Sequence, residues 1–313
     1  MGKILDKKDL KCFFEKLQKI GEVVAPVKNE NISFKPVKKF SEVCFEGRSM
    51  FPIKKYFLPT KEAIAEIKND AFVEKNDFKK RIIFGARLCD LNGLLVLDKL
   101  FLDPLYPDKI YAIRRENTIL IGFACKEPLS DFCFCESMDL KDYYDLLITE
   151  NNEKYYVSIG SKKGANLVTE YKDYDINLKK PVCKKKLKNK NIHDFFDEKF
   201  WEKDALKCVS CQRCTLLCPT CLCFDVADEM NIDLKLGTRN RSLDSCHSKD
   251  FTLVAGGHVF RDTKLKRYRH RVFHKIQYFK DKFEIPMCVG CGRCMEFCHS
   301  KIDFVDTINN LKK

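Results

Sequence analysis

Six cysteines crowd into the eighteen residues 208–225, CVSCQRCTLLCPTCLCFD, and a second cysteine-rich run, CVGCGRCMEFCH, occupies 288–299. Both hold the spacing C-x-x-C-x-x-C-x-x-x-C. In the first run it falls on Cys208, Cys211, Cys214 and Cys218, followed by Pro219; in the second, on Cys288, Cys291, Cys294 and Cys298, followed by His299. Two-residue gaps let a tight loop wrap three thiolates around three irons of a four-iron cubane, while the outlying fourth thiolate reaches the neighbouring cube. The spacing therefore predicts one 4Fe-4S cluster on Cys208, Cys211, Cys214 and Cys298, and a second on Cys288, Cys291, Cys294 and Cys218. Structural zinc also takes four thiolates, yet it draws paired cysteines from two separate knuckles. A third cysteine at the next two-residue gap suits a cube better than a tetrahedron. Crossed ligands would make the two clusters close neighbours, a short relay for single electrons.

A third set lies in the N-terminal half. Cys89 follows the apolar run of FGARLCD, Cys125 ends that of ILIGFAC, and Cys133 and Cys135 sit in the loop SDFCFCES. If those runs are parallel neighbouring strands, their C-terminal ends gather the four thiols at one sheet edge, where sites of α/β folds collect. A third four-iron site is expected there, with buried structural cysteines as the alternative. Cys221, Cys223 and Cys246 either help a further metal site with His247 or His258 or pack around the clusters. Cys12, Cys44 and Cys183 are isolated and are read as plain thiols. Ala255-Gly-Gly-His258 lacks the G-x-G-x-x-G spacing of a dinucleotide site and is read as a glycine turn beside a cluster. No nucleotide cofactor and no catalytic residue is assigned to the chain.

These ligands need elements to hold them. Leu10, Phe13, Phe14, Leu17 and Ile20 recur at helical spacing, and Asp90 to Leu100 is also expected to be helical. A short helix is expected from Thr60, with Ala63, Ile64 and Ile67 inward. Phe34 to Phe57 is read as loops with short strands. Arg81 to Gly85 and Thr118 to Cys125 are expected as buried strands, and Tyr143 to Thr149 with Lys154 to Ile159 as a hairpin. Seven lysines in the twelve residues 179–190 describe a self-repelling, solvated linker. Beyond it alternation disappears, and Asp194 to Leu206 and Asp262 to Lys280 are expected as helices. The sequence thus predicts an α+β protein: an α/β domain over 1–178 carrying the third site, a Lys-rich linker over 179–193, and an α-helical ferredoxin-like domain with two clusters over 194–313.

Length and composition agree. The 313 residues suffice for two domains, and 45% hydrophobic and 33% charged residues are ordinary for a globular chain. No apolar run approaches the ~18 residues that span a bilayer, and the charged N-terminus has no signal core, so a cytoplasmic protein is expected. In a reducing compartment, eighteen cysteines serve metals or redox chemistry rather than disulfides. The formal charge of +13 counts thiols as neutral; each cube with four thiolates carries about −2, so three would remove about six positive charges.

GEVVAPVK, FGARLCDLNGLLVLDKLFLD, RRENTILIGFACKEPLSDFCFCES, CPTCLCFDVAD, DSCHSKDFTLVAGGH and MCVGCGRC are long, unusual strings that together cover nearly the whole chain. In them the chain resembles the iron–sulfur electron-transfer subunits that include the β subunit of archaeal and bacterial sulfhydrogenase and the corresponding subunit of anaerobic sulfite reductase. The resemblance implies a non-catalytic relay in an anaerobic oxidoreductase complex. Its partners would be a flavoprotein subunit binding FAD and NAD(P)H and a catalytic hydrogenase or sulfite reductase subunit that reduces protons, sulfur or sulfite. RRENT and the set Cys89, Cys125, Cys133 and Cys135 look closer to sulfhydrogenase. His299 stands where the family has proline, which bears on the loop around the second cluster and leaves its ligands intact.

Nucleic-acid binding is the competing reading, carried by Arg261 to Lys275 with its seven basic residues, His270 and His274, interleaved with Tyr268 and Phe273. Helical spacing places Leu265, Tyr268, Val272 and Ile276 on an inner face and leaves an ordinary basic outer face. Such a face suits docking of an acidic partner, a ferredoxin or a neighbouring subunit.

Overall fold

The two apolar runs of the N-terminal half are parallel neighbours in the structure, Ile82 beside Ile119 and Phe84 beside Ile121. The computed structural model describes residues 2–69, 71–74, 79–152, 154–175, 181–188, 191–197 and 199–311. Its strands are β1 (Gly2–Asp6), β2 (Glu22–Lys28), β3 (Ile32–Pro36), β4 (Lys61–Lys68), β5 (Ala71–Glu74), β6 (Arg81–Ala86), β7 (Thr118–Phe123), β8 (Leu146–Asn151), β9 (Lys154–Ile159), β10 (Lys172–Tyr174), β11 (Phe224–Met230) and β12 (Leu236–Leu243). The larger sheet runs β10-β1-β9-β8-β7-β6-β2-β3. Its centre, β2, β6, β7 and β8, is parallel, and the β8–β9 hairpin is antiparallel. All six residues of β7 are buried, as a strand covered on both faces requires.

One face is covered by α1 (Lys7–Gln18) through Leu10, Phe13, Phe14 and Leu17, the other by α2 (Leu88–Phe101) and α3 (Lys109–Glu116) through Leu91, Leu94, Leu97 and Tyr111. Each such side chain contributes about 1.5–3 kcal/mol on burial. A single turn, α4 (Lys162–Ala165), leads towards β10. The third core gathers α5 (Phe200–Lys207), α7 (Lys264–Phe273) and α10 (Phe304–Asn309) around Trp201, Val272, Phe273 and Ile308. It also takes in Phe134 and Met138 from the N-terminal half. A π-turn, His274–Tyr278, carries α7 into α8 (Phe279–Phe283), and the short helices α6 (Arg213–Leu216) and α9 (Arg293–Glu296) follow the two cysteine triads.

Three sequence expectations need correction. Residues 61–68 are β4 rather than a helix, because β12 pairs along them, Leu236 beside Lys68 and Ser242 beside Lys61. The interval between the cysteine runs is accordingly not helical throughout: β11 and β12 form a hairpin that joins β4 and β5 in a second sheet. Thirdly, residues 181–188 are docked rather than solvated. Cys183, Leu187 and, further on, Ile192 are buried, and Lys184 and Lys185 are neutralised by Asp131 at 3.0 Å and by Asp303 and Asp306 at 2.7 and 2.8 Å. Ion pairs on facing loops remove the self-repulsion that composition alone implied. The lysines at 179, 180 and 190 lie outside the described residues.

Candidate metal centres

The two triads fold alike, down to the backbone. Ser210 and Gln212 in the first loop and Gly290 and Gly292 in the second take the left-handed conformation, φ 55° and 63° against 65° and 76°. In each loop the amide two residues on donates to the first thiol, Ser210 N to Cys208 Sγ and Gly290 N to Cys288 Sγ, both at 3.4 Å. A one-turn helix then aims the fourth cysteine away, with Cys218 N donating to Thr215 O at 3.3 Å and Cys298 N to Met295 O at 3.1 Å. N–H groups directed at sulfur are what a cluster's thiolates accept.

The fourth cysteines cross over. Cys298 lines one cavity with Cys208, Cys211, Cys214 and Cys294. Conversely, the Cys288 thiol is pushed up by burial and by Cys294, Cys218 and Cys291 around it, and Cys294 rises to about 12, again through burial and with Cys291 and Cys218 as neighbours. Each set has the number and chemical type of donors that a four-iron cube needs. Among the described residues, no group of three or more His, Cys, Asp or Glu side chains is drawn up around a single metal ion.

Charge supplies an independent fit. Lys54, Arg87, Arg267, Arg271 and Lys275 are all buried and, among the described residues, meet carbonyl or hydroxyl oxygens rather than carboxylates. Buried cations without counter-ions are costly. Three of them converge on the thiols: Arg271 donates to Cys214 O at 3.1 Å, Lys54 to Cys221 O at 2.9 Å, and Lys275 to Thr220 Oγ1 at 2.7 Å. Arg271 Nε and His247 Nε2, both buried in residues lining the Cys208 cavity, have no partner. An anionic cluster rich in sulfur acceptors satisfies both the charge and the orphaned donors. Arg267, Arg271 and Lys275 form a second buried stripe of α7 and its π-turn: Arg271 and Lys275 turn toward the thiols, while Arg267 ties the carbonyls of Arg261 and Asp262. Its predicted apolar stripe is buried too, Tyr268, Val272 and Ile276 fully and Leu265 in part.

The N-terminal thiols meet the second triad. Phe134 N donates to Gly290 O at 2.9 Å, and a Cβ on Gly290 would stand 2.5 Å from Cys135 Cα. Cys133 Sγ lies 3.8 Å from Cys291 O, and Arg48 Nη1 donates to Cys133 Sγ at 3.6 Å. Arg48 also pairs with Glu296, and the buried Arg293 with Asp90 at 2.8 Å. Burial raises the Cys135 thiol, as do Cys183, Cys133 and Cys125 beside it. Burial and Asp90 raise the Cys89 thiol, whose other near charges are Arg293, Cys291 and Arg48. Cys183, which looked isolated in the sequence, has its Sγ 3.8 Å from that of Cys135. A lone thiol inside a lysine run was the one available signal.

The remaining candidates separate. Cys221 hydrogen-bonds Cys218, and Cys223 pairs with Cys246, which together with Lys275 draws the Cys223 thiol down to about 6. His247 sits with the first triad, Nδ1 4.0 Å from Cys208 Sγ, and burial holds it neutral with a pKa of about 3. His258 is exposed on its glycine turn and meets Phe260 edge-on. Cys12 is exposed, and Cys44 bonds Glu46 O at 3.4 Å.

Paired cysteine triads, each with an outlying fourth thiol, in a chain of mixed sheets and helices define an iron–sulfur electron-transfer protein. The family model of the 4Fe-4S dicluster domain matches residues 207–302. The chain is 34% identical over 324 residues to sulfhydrogenase 2 subunit beta of Pyrococcus furiosus, an alignment covering 96% of this chain and 95% of that one. It belongs to the family of sulfhydrogenase β subunits. No solved structure matches the chain. Among the described residues, no helix is long and apolar enough to cross a membrane.

Proposed function

We propose that the chain relays single electrons through three four-iron clusters in a row, between a flavoprotein that exchanges them with NAD(P)H and a catalytic hydrogenase or sulfite reductase subunit. The relative's name, a hydrogenase subunit, supports the hydrogenase-type complex. The observation that carries the relay is the crossed geometry: Cys298 with the first triad and Cys218 with the second. Shared loops keep the two cubes adjacent. The packing of Phe134 and Cys135 on Gly290 supports a third cube beside the second, with Cys125, Cys133 and Cys135 among its ligands. Exposure of Cys211 supports the first cluster as the outer end of the row, where a partner or an acidic carrier such as ferredoxin docks.

Cys211→Ser and Cys291→Ser are each expected to lose one cluster and to stop NAD(P)H-driven reduction of the terminal acceptor, with each partner's isolated half-reaction intact. Full-rate transfer through either variant excludes the relay. Nucleic-acid binding is the lesser reading, since Arg267, Arg271 and Lys275 are buried.

A further inference from the structure

The third site, as the relay reading leaves it, has three thiols that stand together and a choice for the fourth. Cys89 is the sequence's candidate; Asp90, Arg293, Cys291 and Arg48 are its near charges. Cys183 is the structure's candidate. It is 1% exposed, and its sulfur lies 3.8 Å from that of Cys135.

The chain goes to some length to put it there. A lysine-rich strand has every reason to stay in water. Residues 183–188 instead clasp the loop that carries Cys133 and Cys135. Cys183 N donates to Glu136 Oε2 at 2.6 Å, Leu187 N to Ser137 Oγ at 3.1 Å, and Lys184 Nζ to Asp131 Oδ1 at 3.0 Å. Lys186 pairs with Glu136. The far side of the strap is fixed as well, with Lys188 N donating to Asn309 Oδ1 and Asn309 Nδ2 to Lys186 O, both at 2.8 Å. Leu187 is the strap's one large apolar anchor in the neighbouring core. Carboxylates on both sides hold the lysines outward while the single thiol turns in.

We propose that the third cluster is held by Cys125, Cys133, Cys135 and Cys183, and that residues 181–188 are a strap whose task is to deliver the fourth thiolate. This rests on the relay reading only for the presence of a third cube. Cys89 is then a thiol that holds no iron. Ligands from three separate segments would tie the strap to the sheet, so loading the cube and docking the strap become one event. Each thiol gives up its proton when iron binds.

The test is iron and acid-labile sulfide content of the full chain purified without oxygen, with EPR of the reduced protein and the rate of tryptic cleavage at Lys184 to Lys186. The unaltered chain is expected to hold about twelve irons, four for each cube. Cys183→Ser should lose about a third of its iron and one EPR signal, keep the other two signals, and be cleaved at the strap at least ten times faster. Cys89→Ser should keep all its iron and the protected strap. Full iron in Cys183→Ser, or loss in Cys89→Ser, overturns the assignment. If Cys183→Ser fails to fold, Cys183→Asp decides: a carboxylate ligand restores the third cluster with a shifted signal, and an unshifted signal overturns the proposal. About eight irons in the unaltered chain would also overturn it, while leaving a two-cluster relay standing, which the Cys211 and Cys291 variants test separately.

Discussion

Arg271 sits where charge at the two triads is balanced. Its guanidinium bonds Cys214 O, and its other charged neighbours are the thiols of Cys294, Cys221 and Cys218. A fixed positive charge stabilises the reduced, more negative state of a nearby cube. Arg271→Met is expected to lower a cluster potential by roughly 50–100 mV, on an interaction of about 1–2 kcal/mol at an effective dielectric near 20. Anaerobic redox titration followed by EPR reads it, and an unmoved potential would exclude a tuning role. A second prediction concerns His270, whose pKa is depressed by burial and then by Arg261 to about 4. The folded chain keeps this ring neutral, while the unfolded chain protonates it below about pH 6.5. The unfolded state therefore binds the extra proton, and stability falls as the pH drops from 6.5 towards 4. The loss expected by pH 5 is about 1–2 kcal/mol after allowing for partial exposure. It should appear as a falling urea midpoint whose slope lessens in His270→Gln, the remaining slope coming from His247 and His274, which burial also holds neutral. Of such residues, the eight cysteines of the two triads and their outlying fourth thiols were legible in the sequence because their spacing along the chain already contains the geometry. Cys183 was not, since its partner is 48 residues away and its neighbours advertise solvent.

The two triad loops are one element built twice, and they differ in how comfortably they adopt it. Gly290 and Gly292 supply the left-handed backbone without strain and leave room for the 132–135 loop, where a Cβ on Gly292 would stand 2.5 Å from Phe132 O. Gly290→Ala is therefore expected to cost about 1–3 kcal/mol in backbone strain alone, and to separate the second triad from the N-terminal thiols. In the first loop Ser210 bears the same conformation with a side chain. Ser210→Gly should stabilise by up to about 1 kcal/mol. Thermal midpoints of the two loaded variants should thus move in opposite directions; a shared direction would mean that the loops are not equivalent. The same scale shows what sequence periodicity could carry. Strands β6 and β7 and helix α1 were legible because each buries a continuous or strictly periodic apolar face. Strand β4 was not: Ala63, Ala65 and Glu66 favour a helix locally, and the pairing that overrides them comes from β12, some 170 residues later. Strand β11 is exposed along its whole length, so it has no inward face for alternation to mark.

The whole molecule is organised around an excess of buried positive charge. Lys54 comes from the N-terminal half and Lys275 from the C-terminal half, and they converge on the turn that follows Cys218, through Cys221 O and Thr220 Oγ1. Helix α2 closes over the same turn, with so little space that a Cβ on Gly93 would stand 2.7 Å from Pro219 Cβ. Burial pulls the Lys54 ammonium below its ordinary pKa, while the nearby thiols Cys221 and Cys218 pull it up. An iron–sulfur cube of charge about −2 balances this arrangement more fully than the Cys218 and Cys223 thiols, which the lysines already draw down. The two halves are thus held together by a counter-ion the chain does not itself encode, and the stability of the interface belongs to the loaded protein. A double substitution, Lys54→Met with Lys275→Met, separates the two states. In the loaded protein it should destabilise by about 2–4 kcal/mol, because the cubes lose their counter-charges. In protein stripped of iron by chelator the loss should be at least halved, because the counter-charge left there is that of the Cys218 and Cys223 thiols drawn down beside the lysines. Differential scanning calorimetry of both forms, run without oxygen, reads the two shifts. A larger loss in the loaded form is the signature of charge matched to a cluster, and equal losses would show that the lysines serve packing alone.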